Sequence, residues 1–419
     1  MSSDLDEAAA GRGVVPLFQR VVSLPTETVV GYEALARWPA LGDPGPLDVF
    51  ERARRNGTLD ELDHQCIDAA AHAALNGNSV AGMLLLINCE PTAAPPDVAA
   101  MESVLAAARS FHLVFELTER ELLTNPSALL RKVAALRAAG FSIALDDLGV
   151  DADSLALLDL VAPEVVKLDM HLIQSQPNRL QARTVAAVMA HHERTGATIL
   201  AEGIETDEHL EQALAYGATL GQGYRFGLPG ELATPPGGSY RPTNTAPAPI
   251  PARSSAFDLA APGLLTRGVR KRTLVQLSRH IERLASAAES PPIVLAAVQH
   301  ARYFTGLTLN TYLGLAERSP LVAVFGDGMA ASPCPGVRGV GLGEDDPLLA
   351  EWGVVVLGPD IAAGLIARGR TLDDVAGRPV ERDERFEMVI TFDRTRVTRA
   401  AQSLLDRLRD DAGAAAPVR

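Results

Sequence analysis

Aromatic residues are scarce in this chain, at 5% of 419 positions, and cysteine is scarcer still, with three. Cys66, Cys89 and Cys334 are scattered without paired spacing. That argues against a disulfide framework and a cysteine-based zinc site, and leaves reduced thiols. Positive charge is in deficit, with 38 Lys and Arg against 52 Asp and Glu, for a net charge of −14 and a pI of about 5.1. That argues against non-specific binding of nucleic-acid polymers through a basic surface, but not against a small phosphate ester held through bound cations. No apolar run approaches the roughly 20 residues of a membrane span. The opening Met1-Ser-Ser-Asp-Leu-Asp-Glu7 is acidic and lacks a signal-peptide core, so the chain is expected to stay in the cytoplasm. The 47% hydrophobic fraction is ordinary for a globular protein, and the length calls for two domains.

What is present is a rhythm. Residues 1–12 read as a disordered tail. From Val14 to about Gly227 short apolar runs end in polar residues, and helical stretches follow. Val29–Tyr32 leads to Glu33, Met83–Ile87 to Asn88, Leu113–Phe115 to Glu116 and Ile143–Leu145 to Asp146 and Asp147. Glu164–Val166 leads to Lys167, Thr198–Ala201 to Glu202 and Thr219–Gly221 to Gln222. Between them Leu62–Leu75, Ala128–Ala138 and Leu180–Thr195 carry Ala and Leu at helical spacing, with Gly140 and Gly196 where helix C-terminal glycines belong. Apolar strands alternating with helices predict a parallel sheet covered on both faces, here an α/β fold closed as a TIM-like (β/α)8 barrel over 13–229. The first two apolar stretches are separated only by Leu24–Thr28, too few residues for a helix. The opening is therefore a hairpin, with one antiparallel strand.

The focus of this region is Phe141-Ser-Ile-Ala-Leu-Asp146-Asp147-Leu-Gly149. Neighbouring strand side chains point to opposite faces, so two adjacent aspartates reach one site only where the strand ends and the backbone turns. Their repulsion is unfavourable unless a cation neutralises it, and the alternative is an exposed acidic turn after a strand. The polar residues at the other strand ends converge on the same mouth in a barrel. Carboxylates with one Asn and one Lys, without clustered His or Cys, suit Mg²⁺ or Mn²⁺ as one or two ions. Two ions about 3.5–4 Å apart serve phosphodiester hydrolysis. Lys167 either holds the attacking water and phosphate charge or makes a structural salt bridge. Arg37 either holds a phosphate or base, or makes a salt bridge at the rim.

Glu33-Ala34-Leu35, followed by Ala36-Arg37-Trp38, resembles the signature of the EAL family of cyclic di-GMP phosphodiesterases. Further motifs fall in the family's order: Leu17-Phe18-Gln19, Ile87-Asn88, Glu116-Leu-Thr-Glu119, Asp146-Asp147-Leu-Gly149, Val166-Lys167-Leu168-Asp169, Ala201-Glu202-Gly203-Ile204-Glu205-Thr206 and Gln222-Gly223-Tyr224. The resemblance implies a barrel with an antiparallel first strand that linearises cyclic di-GMP to pGpG with Mg²⁺ or Mn²⁺. Glu33, Asn88, Glu116, Asp146 and Asp147 would be metal ligands, and Lys167 and Glu202 would position or activate water. Gln19, Leu35, Arg37, Asp169 and Gln222 would contact the substrate or support the site. Glu119 would hold the loop after the aspartates, and Glu205 would support from behind. A homodimer through the barrel is a further implication. Leu148-Gly149-Val150-Asp151-Ala152-Asp153-Ser154 departs from the family's usual loop, losing a glycine and an aromatic and gaining two carboxylates, and Arg20 stands where proline is usual. The altered 148–154 loop motivates an alternative, a catalytically idle cyclic di-GMP receptor that signals to a protein partner.

Residues 230–262 are proline-rich and read as a linker. Beyond it, 263–410 alternates elements without a carboxylate cluster, followed by a tail at 411–419. Leu274–Ala288 and Val397–Arg409 are expected as helices; Ile293–Val298, Thr308–Ala316, Leu321–Phe325, Gly353–Leu357 and Glu387–Phe392 are expected as strands. Trp352, His300 and Asp327 read as single structural features. Leu274-Val-Gln-Leu-Ser278 and Arg302-Tyr303-Phe304 resemble the DICT sensory domain, which implies regulation of the barrel by a signal or protein partner. No Gly-Gly-Asp-Glu-Phe run, the mark of a partner cyclase, is present.

Overall fold

The computed structural model describes residues 2–408 apart from 78–80, 99, 119–122, 149–154, 233–237, 243–247 and 370–384. The chain divides into two compact units. Eight strands close the first into a barrel in sequence order: β1 Val15–Ser23, β2 Thr28–Arg37, β3 Met83–Asn88, β4 Phe111–Thr118, β5 Ser142–Leu148, β6 Val165–Leu168, β7 Thr198–Ala201 and β8 Leu220–Gly221. β1 runs antiparallel to both neighbours, as the hairpin requires, and every other pairing is parallel. Among the described residues the α-helices are α1 Ser2–Ala9, α2 Pro46–Asn56, α3 Leu59–Asn76, α4 Glu102–Ala107, α5 Pro126–Ala138, α6 Leu157–Val161, α7 Met170–Gln174, α8 Arg179–Thr195, α9 Asp207–Ala215, α10 Ala256–Ala260, α11 Lys271–Ala287, α12 Leu307–Ala316 and α13 Arg394–Leu405.

Alternate strand residues fill the barrel interior. Val21, Val30, Leu84, Leu86, Val114, Ala144, Val165, Leu200 and Leu220 form one buried cluster. Their size leaves little slack where strands approach. A Cβ on Gly31 would lie 2.4 Å from Leu84 Cβ and 2.7 Å from its carbonyl oxygen. The α8 helix begins with a capping box, in which Asn178 accepts from the Leu180 and Gln181 amides while Gln181 answers the Asn178 amide. It ends at Gly196 in the left-handed conformation.

Two expectations for this unit need correction. Residues 2–9 are helical rather than a disordered tail, because Ala8 and Ala9 bury against Trp38, Val49, Ala53 and Leu62. Arg52 bonds Asp6 from α2. The acidic face of α1 conceals a small apolar stripe that only those partners make useful. The proline-rich segment expected as a linker also begins as part of the barrel unit. Gly230 exchanges backbone hydrogen bonds with Phe18, and the Tyr240 hydroxyl lies 2.8 Å from that of Thr198.

The second unit is a seven-stranded mixed sheet in the order β12-β11-β10-β13-β14-β15-β9. Its strands are β9 Arg267–Arg270, β10 Ile293–His300, β11 Val322–Asp327, β12 Val337–Gly341, β13 Glu351–Leu357, β14 Ala362–Gly369 and β15 Arg385–Thr391. Leu274 and Ile281 of α11 and Tyr312 and Leu315 of α12 pack with Ala363, Leu365 and Ala367. Val397 of α13 lies beside Gly364, on the opposite face. Thr308–Ala316, expected as a strand, is therefore helical. Its β-branched and aromatic content suggested pleating, but Leu309, Tyr312, Leu313 and Ala316 share one helical face against the core. Strands β9, β12 and β14 were not legible, since short Gly- and Arg-containing segments carry little alternation.

Replacing Gly31 by alanine would overpack the β2–β3 contact. The expected cost is about 1–3 kcal/mol, read as a lower urea midpoint at unchanged slope.

Candidate metal and phosphoester site

The strand ends bring the sequence-derived residues to one place. Glu33 sits in β2, Asn88 ends β3, Glu116 lies in β4 directly across from Asn88, and Asp146 and Asp147 lie near the end of β5. Lys167 is in β6, Glu202 follows β7 and Gln222 follows β8. The two adjacent aspartates are presented together by a local distortion. Asp147 has φ of 57° and the β5–β6 register shifts between Leu145 and Leu148. The Asp147 amide donates to Asp146 Oδ1 at 2.9 Å. A left-handed non-glycine residue costs of order 1–3 kcal/mol, and here it turns consecutive carboxylates into one mouth.

Lys167 is fully buried at the centre. Its Nζ lies 2.8 Å from Glu202, 2.9 Å from Glu116, 3.0 Å from Asp146 and 3.5 Å from Glu33. Burial alone would push the ammonium down, but the charges of Asp146, Glu116, Glu202 and Glu33 hold its pKa well above the usual lysine value. Glu33 is ordered from both sides, accepting from Asn88 Nδ2 at 3.1 Å and Gln222 Nε2 at 3.0 Å. Burial pushes Glu33 up, yet Lys167 and hydrogen bonds from Glu116, Gln222 and Asn88 bring it below the ordinary range. Glu116 moves the other way. Its burial and the charge of Glu33 outweigh Lys167, and its pKa rises well above normal. Burial likewise lifts Glu202 to about 8, against the pull of Lys167 and with the repulsion of Asp146 and Glu33.

One ammonium is too little positive charge for this group. Carboxylate oxygens of Glu33, Glu116 and Asp146 lie within 4.8 Å of one another, as do those of Asp146, Asp147 and Glu202. The two triads share Asp146. Neither buried oxygen of Glu116 has an aligned hydrogen-bond donor, although Lys167 stands close to one of them. Asn88 and Gln222 donate their amide N–H groups to Glu33, which leaves each carbonyl oxygen to act as an acceptor. All-oxygen donors with an unmatched negative excess fit a hard divalent cation.

The remaining expected residues divide. Gln19 faces Glu33 across the β1–β2 ladder. Leu35 and Arg37 are half-buried near the end of β2, where Arg37 bonds the Ala36 carbonyl at 2.8 Å. Asp169 is committed locally, capping α7 through the His171 amide and meeting the His171 ring, both at 2.7 Å. Glu205 is exposed. Glu119 and residues 149–154 lie outside the described residues. Arg20, in the place of a proline, donates to the Phe226 carbonyl at 3.1 Å.

Sequence reasoning missed Asp63 and Lys132. Asp63, buried on α3, accepts from the Glu90 amide at 2.8 Å, while Lys132, buried on α5, donates to the Glu90 carbonyl. Together they clamp the chain two residues after Asn88. Burial pushes Asp63 up to about 7, against the charge of Lys132. Neither residue carried a sequence signal, because a charged residue on a helix is by default read as part of its exposed face.

Three comparisons bear on this geometry. The model of the EAL domain matches residues 2–229, and that of the sensory domain in diguanylate cyclases and two-component systems (DICT) matches 257–370. Over 223 residues the chain is 27% identical to cyclic di-GMP phosphodiesterase RocR of Pseudomonas aeruginosa, covering 51% of this chain and 56% of that one. It is 29% identical over 227 residues to the probable cyclic di-GMP phosphodiesterase PdeG of Escherichia coli, covering 52% and 44%. An uncharacterized Azorhizobium caulinodans protein is 30% identical over 237 residues, covering 52% and 31%. The chain thus spans between about a third and just over half the length of these curated relatives. Among solved structures, Klebsiella pneumoniae BlrP1 with calcium and cyclic di-GMP aligns at TM-score 0.45 and 27% identity, covering 53% of this chain and 58% of that one.

Three measurements test the site. In the metal-free protein, carboxyls held above their unfolded pKa stabilise the fold at low pH and lose that contribution as pH rises from the ordinary range near 4.5 through about 8. The melting temperature should therefore fall across this window without metal and flatten with Mn²⁺. Calorimetry in buffers of different ionisation enthalpy should show proton release on metal binding, with affinity rising with pH. Asp63→Ala should cost about 1–3 kcal/mol by orphaning the Glu90 amide, and weaken metal binding through Asn88.

By its matched model over more than half its length, the chain belongs to the EAL domain family, with a DICT domain following the barrel.

Proposed function

We propose that the barrel hydrolyses cyclic di-GMP to linear pGpG, using Mg²⁺ or Mn²⁺. The observation that carries this reading is the pair of carboxylate triads sharing Asp146 around a buried Lys167. Glu33, Asn88, Glu116, Asp146 and Asp147 would hold the ions. When bound, the ions would supply Lewis-acid stabilisation of charge developing on the phosphoryl oxygens.

The chain's own groups do the rest. Lys167, with its proton retained by four surrounding carboxylates, acts as a fixed positive charge and hydrogen-bond donor rather than as a base. Glu202, 2.8 Å from it and partly open to the mouth, would accept a proton from attacking water. Water adds to one phosphorus, one P–O3′ bond breaks, and the proton is returned to the departing O3′. Gln19, Leu35, Arg37 and Gln222 would line the substrate face, with Asp169 acting through the start of α7. The DICT domain would regulate this reaction.

The test is turnover of cyclic di-GMP by the full-length protein with Mg²⁺ and with Mn²⁺. Asp146→Asn and Glu33→Ala should each lower turnover by at least about a hundredfold, the usual scale for a lost electrostatic group, while circular dichroism still reports a folded barrel. Binding of cyclic di-GMP without turnover under either metal would overturn the enzyme reading in favour of a receptor.

A further inference from the structure

The second unit contains a cavity of about 60 Å³ between α11, α12, β10 and β13. Its chemistry is lopsided. Val275, Ser278, Arg279 and Glu282 follow at helical spacing, so one face of α11 turns into it. Val298, Leu307 and Val354 supply apolar walls. Trp352 is held as another wall, because its indole N–H donates to the buried Ser278 hydroxyl at 3.1 Å.

Glu282 is the acid among the described residues lining this cavity, and it is 7% exposed. Its carboxyl accepts a hydrogen bond from the Tyr312 hydroxyl, while Arg279, exposed at the rim, acts on it through charge. A carboxylate has about four acceptor positions, so the Tyr312 bond leaves capacity facing the cavity. Burial pushes Glu282 above the ordinary carboxylate range. An ionised carboxylate in such surroundings is costly unless it meets a cation. An anionic occupant would be repelled, an uncharged one would leave the carboxyl to its proton, and a cation is the occupant that gains from holding it ionised. A water needs about 10–15 Å³ of such space, so the cavity admits a body of roughly five non-hydrogen atoms.

We propose that this cavity binds a small primary amine as its ammonium ion, with the charge on Glu282 and a short branched alkyl body against Trp352 and Val298. The site belongs to the second unit by itself and does not depend on the barrel's reaction.

The experiment is a titration of the full-length protein with isobutylammonium, isobutanol and isobutyrate, followed by calorimetry and by tryptophan fluorescence, in which Trp352 lines the cavity and Trp38, buried in the barrel unit, gives a constant background. Excess Mg²⁺ occupies the barrel's carboxylates throughout. Isobutylammonium should bind saturably, the alcohol at least tenfold more weakly, and the carboxylate not at all. Glu282→Gln should weaken the ammonium at least tenfold and leave the alcohol unchanged. Thr308→Trp, which obstructs the mouth, should abolish both, and it serves as the second variant if Glu282→Gln does not fold. Absence of ammonium binding, equal binding of all three probes, or ammonium binding that survives both substitutions would overturn the proposal.

Discussion

A single buried ammonium surrounded by four carboxylates governs the barrel's upper end. Lys167 cannot be solvated where it sits, and neither can Glu116. Each is tolerated because the other is within 2.9 Å, yet the sum remains negative. That imbalance explains the opposed pKa directions around the site. Glu33, served by two side-chain amides and Lys167, stays ionised, whereas Glu116 and Glu202 are driven toward the protonated state. A divalent cation resolves the same imbalance without protons. Structural support and metal readiness are thus one electrostatic arrangement.

The backbone around the site is shaped to the same end. A left-handed Asp147 and a shifted β5–β6 register let consecutive aspartates serve one mouth. Asp63 and Lys132 fix the chain just past Asn88 from the barrel's outer layer. These devices cost conformational or desolvation free energy, and the close-packed barrel interior supplies the frame that holds them. The second unit follows a different economy. Its strand ends carry no acidic cluster among the described residues. Its chemistry lies in the helix-to-sheet layer, where Glu282, Tyr312, Ser278 and Trp352 are ordered by mutual hydrogen bonds.

The sequence by itself determined the alternation of strands and helices, the antiparallel opening strand and the residues at the strand ends. Those features follow from local periodicity and from a five-residue gap that no helix could bridge. Helical residues 2–9 and 307–316 were not legible, because the side chains that bury Ala8, Ala9, Tyr312 and Leu315 come from distant parts of the chain. Only the tertiary structure decided that Asp169 caps α7 through the His171 amide, and that Asp63 is buried rather than exposed on its helix. It also decided that Lys167 lies equidistant, within a few tenths of an ångström, from Glu116, Asp146 and Glu202. Periodicity names which residues reach a strand end. Distances between strand ends, and hence charge balance and protonation, exist only once the barrel has closed.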